Sequence, residues 1–193
     1  MTDKPKMPMG SQRQPSIARE EWTDEVLDLF GVLEGDWGRE NGSKYNYTHW
    51  LANHPVLGTK FMQFNLELTT GVFQPRLREL IVLRVSNRFK SEYEWNLHVQ
   101  ISAQYGIGPE QIAAVQVGPS DPLWTEAERL CLRATDALCD KNDIDDDLWA
   151  ALAAEFDRKE LIELLFLVGT YSMLAWILKS VRLPSEDLKA AWH

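Results

Sequence analysis

At 193 residues, with 45% apolar and 25% charged side chains, the chain has the size and composition of a globular domain with a real core. A net charge of −9 argues against a nucleic-acid partner, because phosphate binding needs clustered Lys and Arg. No uninterrupted apolar run reaches the roughly 20 residues of a membrane span, and no apolar leader opens the chain, so a cytoplasmic protein away from membranes is expected.

Residues 1–19, with Pro5, Pro8, Pro15 and Gly10 among scattered polar groups, predict a flexible arm ahead of one domain over 20–193. A first helix starts near Thr23, with Asp24 and Glu25 in its first turn and Val26, Leu29, Phe30 and Leu33 on its apolar face. Residues 35–46 read as a Gly/Asn-rich loop. Helices follow over about 47–53 and 56–69, parted at His54-Pro55. Pro75 opens a helix over 75–88 that is apolar around much of its circumference and therefore largely buried. After a polar break at 87–91 the next helix runs to Tyr105 and stops at Gly106.

A short helix over 109–116 leads to the loop 118–124. Thr125 with Glu128 forms a capping box for a helix reaching about Asp140, and Asp157 with Glu160 does the same for a last helix ending near Arg182. Another helix lies between them, over 146–156. No stretch alternates like a half-buried strand, so the fold class is all-α. Cys131 and Cys139 stand about 12 Å apart along one helix, too far for a disulfide, and read as small buried apolar groups.

Laying 79–99 on 160–180 aligns Glu-Leu-Ile with Glu-Leu-Ile, Ser91 with Ser172 and Trp95 with Trp176. A repeat of this kind implies two related helical hairpins. Only the first copy keeps Glu79, Glu94 and His98; Ala175 and Lys179 stand opposite the last two.

Those three residues carry the chemistry. Glu94 and His98 share a helix face at i, i+4, and packing of the preceding helix can bring Glu79 to that face. Two carboxylates crowded on one imidazole raise one carboxyl pKa and favour imidazolium, which is machinery for proton transfer without a cofactor. The plain alternatives are a Ser91–Glu94 capping box, a Glu79–Arg ion pair and a hydrogen-bonded core histidine. Two carboxylates and one histidine without a clearer spacing motif give no metal-site signature. Arg84, on an otherwise apolar helix, suits a substrate carboxylate or a salt bridge between subunits. Trp95, Tyr171, Trp176 and His54 complete the candidate binding residues, with core packing and, for His54, a helix cap as the alternatives.

The run R-x-R-E-L-I-V-L-R-V over 76–85, followed by S-E-Y-E-W-x-x-H over 91–98, resembles the carboxymuconolactone decarboxylase family and its AhpD-type alkylhydroperoxidase relatives. The resemblance implies an all-α, AhpD-like helical bundle and a homo-oligomer, commonly a trimer or hexamer. Where the peroxidase branch has a C-x-x-C pair, this chain has Ser91 and Glu94, and thiol peroxidase chemistry needs both thiols. The resemblance therefore implies a decarboxylase-like lyase or isomerase, with no cofactor, acting on a small carboxylated, aromatic-derived compound or lactone. In it His98 would donate the proton, Glu94 orient His98, and Glu79 tune the pair or act as second acid. The competing readings are an AhpD-like antioxidant protein and a non-catalytic ligand-binding protein. Lys179 stands where long members of the family often carry Asn.

Overall fold

The computed structural model describes residues 11–185, and among them every regular element is helical. The α-helices are α1 (Asp24–Asn41), α2 (Asn46–Leu51), α3 (Pro55–Thr70), α4 (Pro75–Phe89), α5 (Glu92–Ile101), α6 (Pro109–Val117), α7 (Glu126–Lys141), α8 (Asp146–Glu155) and α9 (Arg158–Val181). The chain divides into two compact units, one of Met1–Phe64 with Ile177–His193 and one of Asn65–Trp176.

In the first unit, Val26, Leu29, Phe30, Ala52 and Met62 form the core. Helix α1 continues to Asn41 through what reads in sequence as a loop, because Gly35 takes φ of 58° and kinks the helix rather than ending it. The arm expected over 1–19 is held down in its described part. Arg13 donates its backbone N–H to Val181 O at 2.8 Å, and Asn53 donates to Pro15 O at 3.0 Å. Prolines keep this segment extended without preventing it from hydrogen-bonding to its own chain. Residues 1–10 of that arm lie outside the described residues.

The second unit is built on α4. Pro75 starts it at a position where the missing N–H costs nothing, and Lys90, at φ 54°, ends it in the left-handed region. An unbroken run from Leu77 to Ser86 is buried, so this helix has no solvent face over most of its length. It packs against α5, α6 and α7. Leu80 and Leu83 join Ile107, Ala114, Val115, Trp124 and Leu132 in one core, each large side chain contributing about 1.5–3 kcal/mol by burial. The turn before α4 is fixed by Glu163, whose carboxylate accepts the N–H groups of Val72 and Phe73 at 3.0 and 2.8 Å. Thr125 and Glu128 form the expected capping box at the start of α7.

The second copy of the internal repeat is not a hairpin. Residues 158–181 form the single helix α9, since 168–172 offers no residue in the left-handed region to play the part that Lys90 plays after α4. By length and composition α9 is also apolar enough to cross a membrane, the polar residues within it notwithstanding. Of its most apolar window, 56% is buried inside the protein.

Candidate active site

Helix α4 delivers Glu79 from the middle of its buried run, and α5 delivers Glu94 and His98 from successive turns of its inner face. All three are buried, with Glu79 and Glu94 each only 2% exposed. The His98 Nδ1–H donates to Glu79 Oε1 at 2.8 Å. Tyr171, from α9, sets its ring edge-on to the imidazole at 5.5 Å and 85°. Burial alone would pull the His98 pKa down. The Glu79 charge and hydrogen bond, helped by Glu94, outweigh both that and the nearby Arg78 charge, so imidazolium is favoured.

Glu94 is placed differently. Both of its oxygens are buried without a hydrogen-bond partner, and so is the Ser91 hydroxyl one turn earlier. Burial pushes the Glu94 carboxyl up from 4.5 to about 7, against the smaller opposing pull of Ser91 and His98. The capping box that S-x-x-E suggests is not formed: Ser91 gives the helix no side-chain cap, and its backbone N–H goes to Ser86 O at 2.9 Å. Glu94 is a buried acid poised near neutrality, facing a basic imidazole on its own helix.

Arg84 has another task than the one its sequence position suggests. It grips Asp136 with two parallel bonds of 2.7 and 2.8 Å and donates to Val115 O at 2.6 Å. The guanidinium thus spends these donors inside its own chain. His54 lies exposed in the other unit, where its Nδ1 accepts the Leu57 N–H at 3.4 Å at the start of α3. Trp176 is 56% exposed and meets Phe89 edge-on at 5.8 Å. Trp95 is half-buried against the core and borders a cavity of about 220 Å³ in front of α5. That cavity is also lined by Asn87, Lys90, Ser91, Asn96 and Gln116.

Sequence reasoning misses Lys90 and Gln116. The only signal for Lys90 is its place directly before the α5 N-cap. Gln116 comes from α6, and nothing local marks it. Among the described residues no group of three or more His, Cys, Asp or Glu is arranged to hold a metal ion. Neither cysteine is in the cluster. Burial drives the Cys131 thiol far up and the Cys139 thiol up to about 11, so neither is a ready thiolate at neutral pH.

Residues 55–137 match the model of the carboxymuconolactone decarboxylase family. The uncharacterized protein YnjA of Escherichia coli (strain K12) is 27% identical over 153 residues, covering 78% of this chain and 84% of that protein. Among solved structures, an uncharacterized peroxidase-related protein from Ralstonia eutropha JMP134, described as an alkylhydroperoxidase AhpD core, superposes with a TM-score of 0.75 at 18% identity. That match covers 91% of this chain and 92% of the other. An uncharacterized peroxidase-related protein from Silicibacter sp. TM1040 gives 0.74 at 18%, covering 97% and 96%. The debrominase Bmp8, in its apo form, gives 0.71 at 16%, covering 94% and 96%. The all-α fold is thus AhpD-like.

Proposed function

We propose, on the premise that this chain belongs to the superfamily of AhpD-like and carboxymuconolactone decarboxylase-like proteins, that it is a cofactor-independent acid–base enzyme. Its reaction is a lyase or isomerase step on a small carboxylated compound. The observation that carries the proposal is the buried Glu94 acid without a partner, one turn from an imidazole that Glu79 holds and charges. A carboxyl raised to about 7 beside an imidazole whose protonated form is favoured suits proton delivery and removal at physiological pH.

In a decarboxylation, the bond from carbon to the carboxylate breaks and its electron pair enters a conjugated carbonyl as a dienolate. Carbon dioxide leaves, and one proton returns to carbon. The His98 imidazolium delivers that proton. Glu79, bonded to Nδ1, orients and stabilises it, while Glu94 is the second proton store. This exchanges the roles that the sequence suggests for the two carboxylates, because Glu79 makes the hydrogen bond and Glu94 makes none. His98→Gln and Glu79→Gln are each expected to lower turnover about 10²–10⁴-fold on whichever acid emerges from a screen of lactone and aromatic-degradation acids. Full turnover in both variants would overturn the assignment.

The names of the structural relatives favour a second reading, a peroxide-handling antioxidant protein. Peroxide consumption by the wild-type protein that disappears with Cys131→Ser or Cys139→Ser would put that reading in place of the first. A homo-oligomer is part of the proposal as well. It is supported by the apolar face that Ile162, Phe166, Met173 and Trp176 leave exposed along α9.

A further inference from the structure

Four arginines lie along α4, and three of them hold a carboxylate. Arg76 pairs with Glu128, Arg84 with Asp136, and Arg88 with Asp140. Arg78 is the exception. It is 6% exposed, and among the described residues no acid comes within ion-pair distance of it. A guanidinium buried in this way is costly to keep without a counter-ion. Arg84, farther along the same helix, shows what is missing. Its Nη1 donates to a backbone carbonyl, Val115 O, and its Nε and Nη2 hold both oxygens of Asp136. Arg78 has the first half of that arrangement. Its Nη1 donates to Thr69 O at 2.7 Å, and its Cζ stands 5.6 Å over the Tyr105 ring. Its Nε and Nη2 meet no acceptor among the described residues, yet they are not sealed off as the Glu94 oxygens are, so this edge is open. The Nε–Nη2 edge is the fork that fits the two oxygens of a carboxylate.

That edge belongs to the acid–base cluster. Thr69 shares a face of α3 with Asn65, one turn earlier. Asn65 meets the Tyr171 hydroxyl, and Tyr171 sets its ring edge-on to His98. His98 bonds Glu79, the residue next to Arg78, which closes the circuit. All six residues lie in the second unit, and the Arg78 charge acts on both His98 and Tyr171.

We infer that Arg78 binds the carboxylate of a small organic acid through Nε and Nη2, in the circuit that holds His98. The ligand carboxylate takes the place on Arg78 that Asp136 takes on Arg84. A carboxylate stabilised by a guanidinium is poorly set up to leave as carbon dioxide, so Arg78 holds the end of the substrate that anchors it. The assignment rests on the reaction proposed above for what the acid does there, and on the empty fork alone for the binding.

The test is an NMR titration of the full-length protein with benzoate and with benzamide, following the Arg78 Nε–H signal assigned through its own backbone. Benzoate is expected to shift that signal saturably, and benzamide to bind about tenfold more weakly. Arg78→Lys keeps the charge but not the fork, and should weaken benzoate about tenfold. No saturable shift with benzoate, equal binding of benzamide, or an unchanged benzoate affinity in Arg78→Lys would overturn the assignment. A signal that moves with protein concentration and not with benzoate would overturn it too, in favour of a carboxylate from a second copy of the chain. Should Arg78→Lys not fold, the two titrations of the wild-type protein decide. His98→Gln separates the two proposals, since it should keep benzoate binding and remove turnover. If benzoate follows this pattern while His98→Gln keeps full turnover, the reaction fails and the binding site stands. If His98→Gln loses turnover while benzoate leaves the Arg78 signal unmoved, the binding site fails and the reaction stands.

Discussion

Glu94→Gln is expected to make the protein less sensitive to rising pH, by about 3 kcal/mol between the ends of the titration window. In the folded chain the Glu94 carboxyl ionises at about 7, and its ordinary value is 4.5. Below about 4.5 both states hold the proton and the residue contributes no pH dependence. As pH rises toward about 7 the unfolded chain loses its proton while the folded chain keeps it. Stability falls across that window, and above it the deficit is constant. The glutamine variant has no such deficit, so its gain over wild type should grow from about pH 4.5 and level off near pH 7. His98 has the same sign and a later window. Its folded pKa is raised, so its contribution is fully present below 6.5 and lost as pH rises through the folded value. The variant should therefore keep the upper slope and lose the lower one. Urea unfolding followed across the pH range reads both. A gain that does not depend on pH would mean that Glu94 is not a buried acid.

Arg84→Met is expected to destabilise the second unit by about 3–5 kcal/mol, the cost of breaking a buried charge pair from one side. The loss would leave the Asp136 carboxylate, whose side chain is only 21% exposed, with Arg88 alone at 3.7 Å, and free the Val115 carbonyl. Adding Asp136→Leu should recover a large part of that loss, since two apolar groups of similar size leave no uncompensated charge. Denaturant midpoints of the two single variants and the double variant measure the coupling. Additive losses would mean that Arg84 and Asp136 do not act as a pair.

The parts of the fold that can be read in the sequence are those set by local signals. Pro75 and Pro109 open helices, Thr125 with Glu128 closes a capping box, and apolar residues on all sides of 77–86 give a buried helix. The i, i+4 spacing likewise puts Glu94 and His98 on one face. The signals that mislead are also local, but are overruled by distant partners. Ser91 and Glu94 have the spacing of a cap, yet burial between helices turns both side chains inward. The segment 160–180 has the residues of a second hairpin but lacks anything that would break α9. Arg84 looks available until Asp136, fifty-two positions later, is folded against it. Lys90 enters the cavity lining only because a left-handed turn places it there, beside Gln116 from another helix.

The central claim is that the cluster holds an exchangeable proton on Glu94 at neutral pH. A ¹³C NMR titration of the side-chain carboxyl carbons, with the Glu94 signal assigned by its loss in Glu94→Gln, tests this directly. The predicted result is a midpoint near 7, with a second inflection shared with the His98 ring signals because the two groups titrate together. A single midpoint at the ordinary value of 4.5, independent of His98, would contradict it.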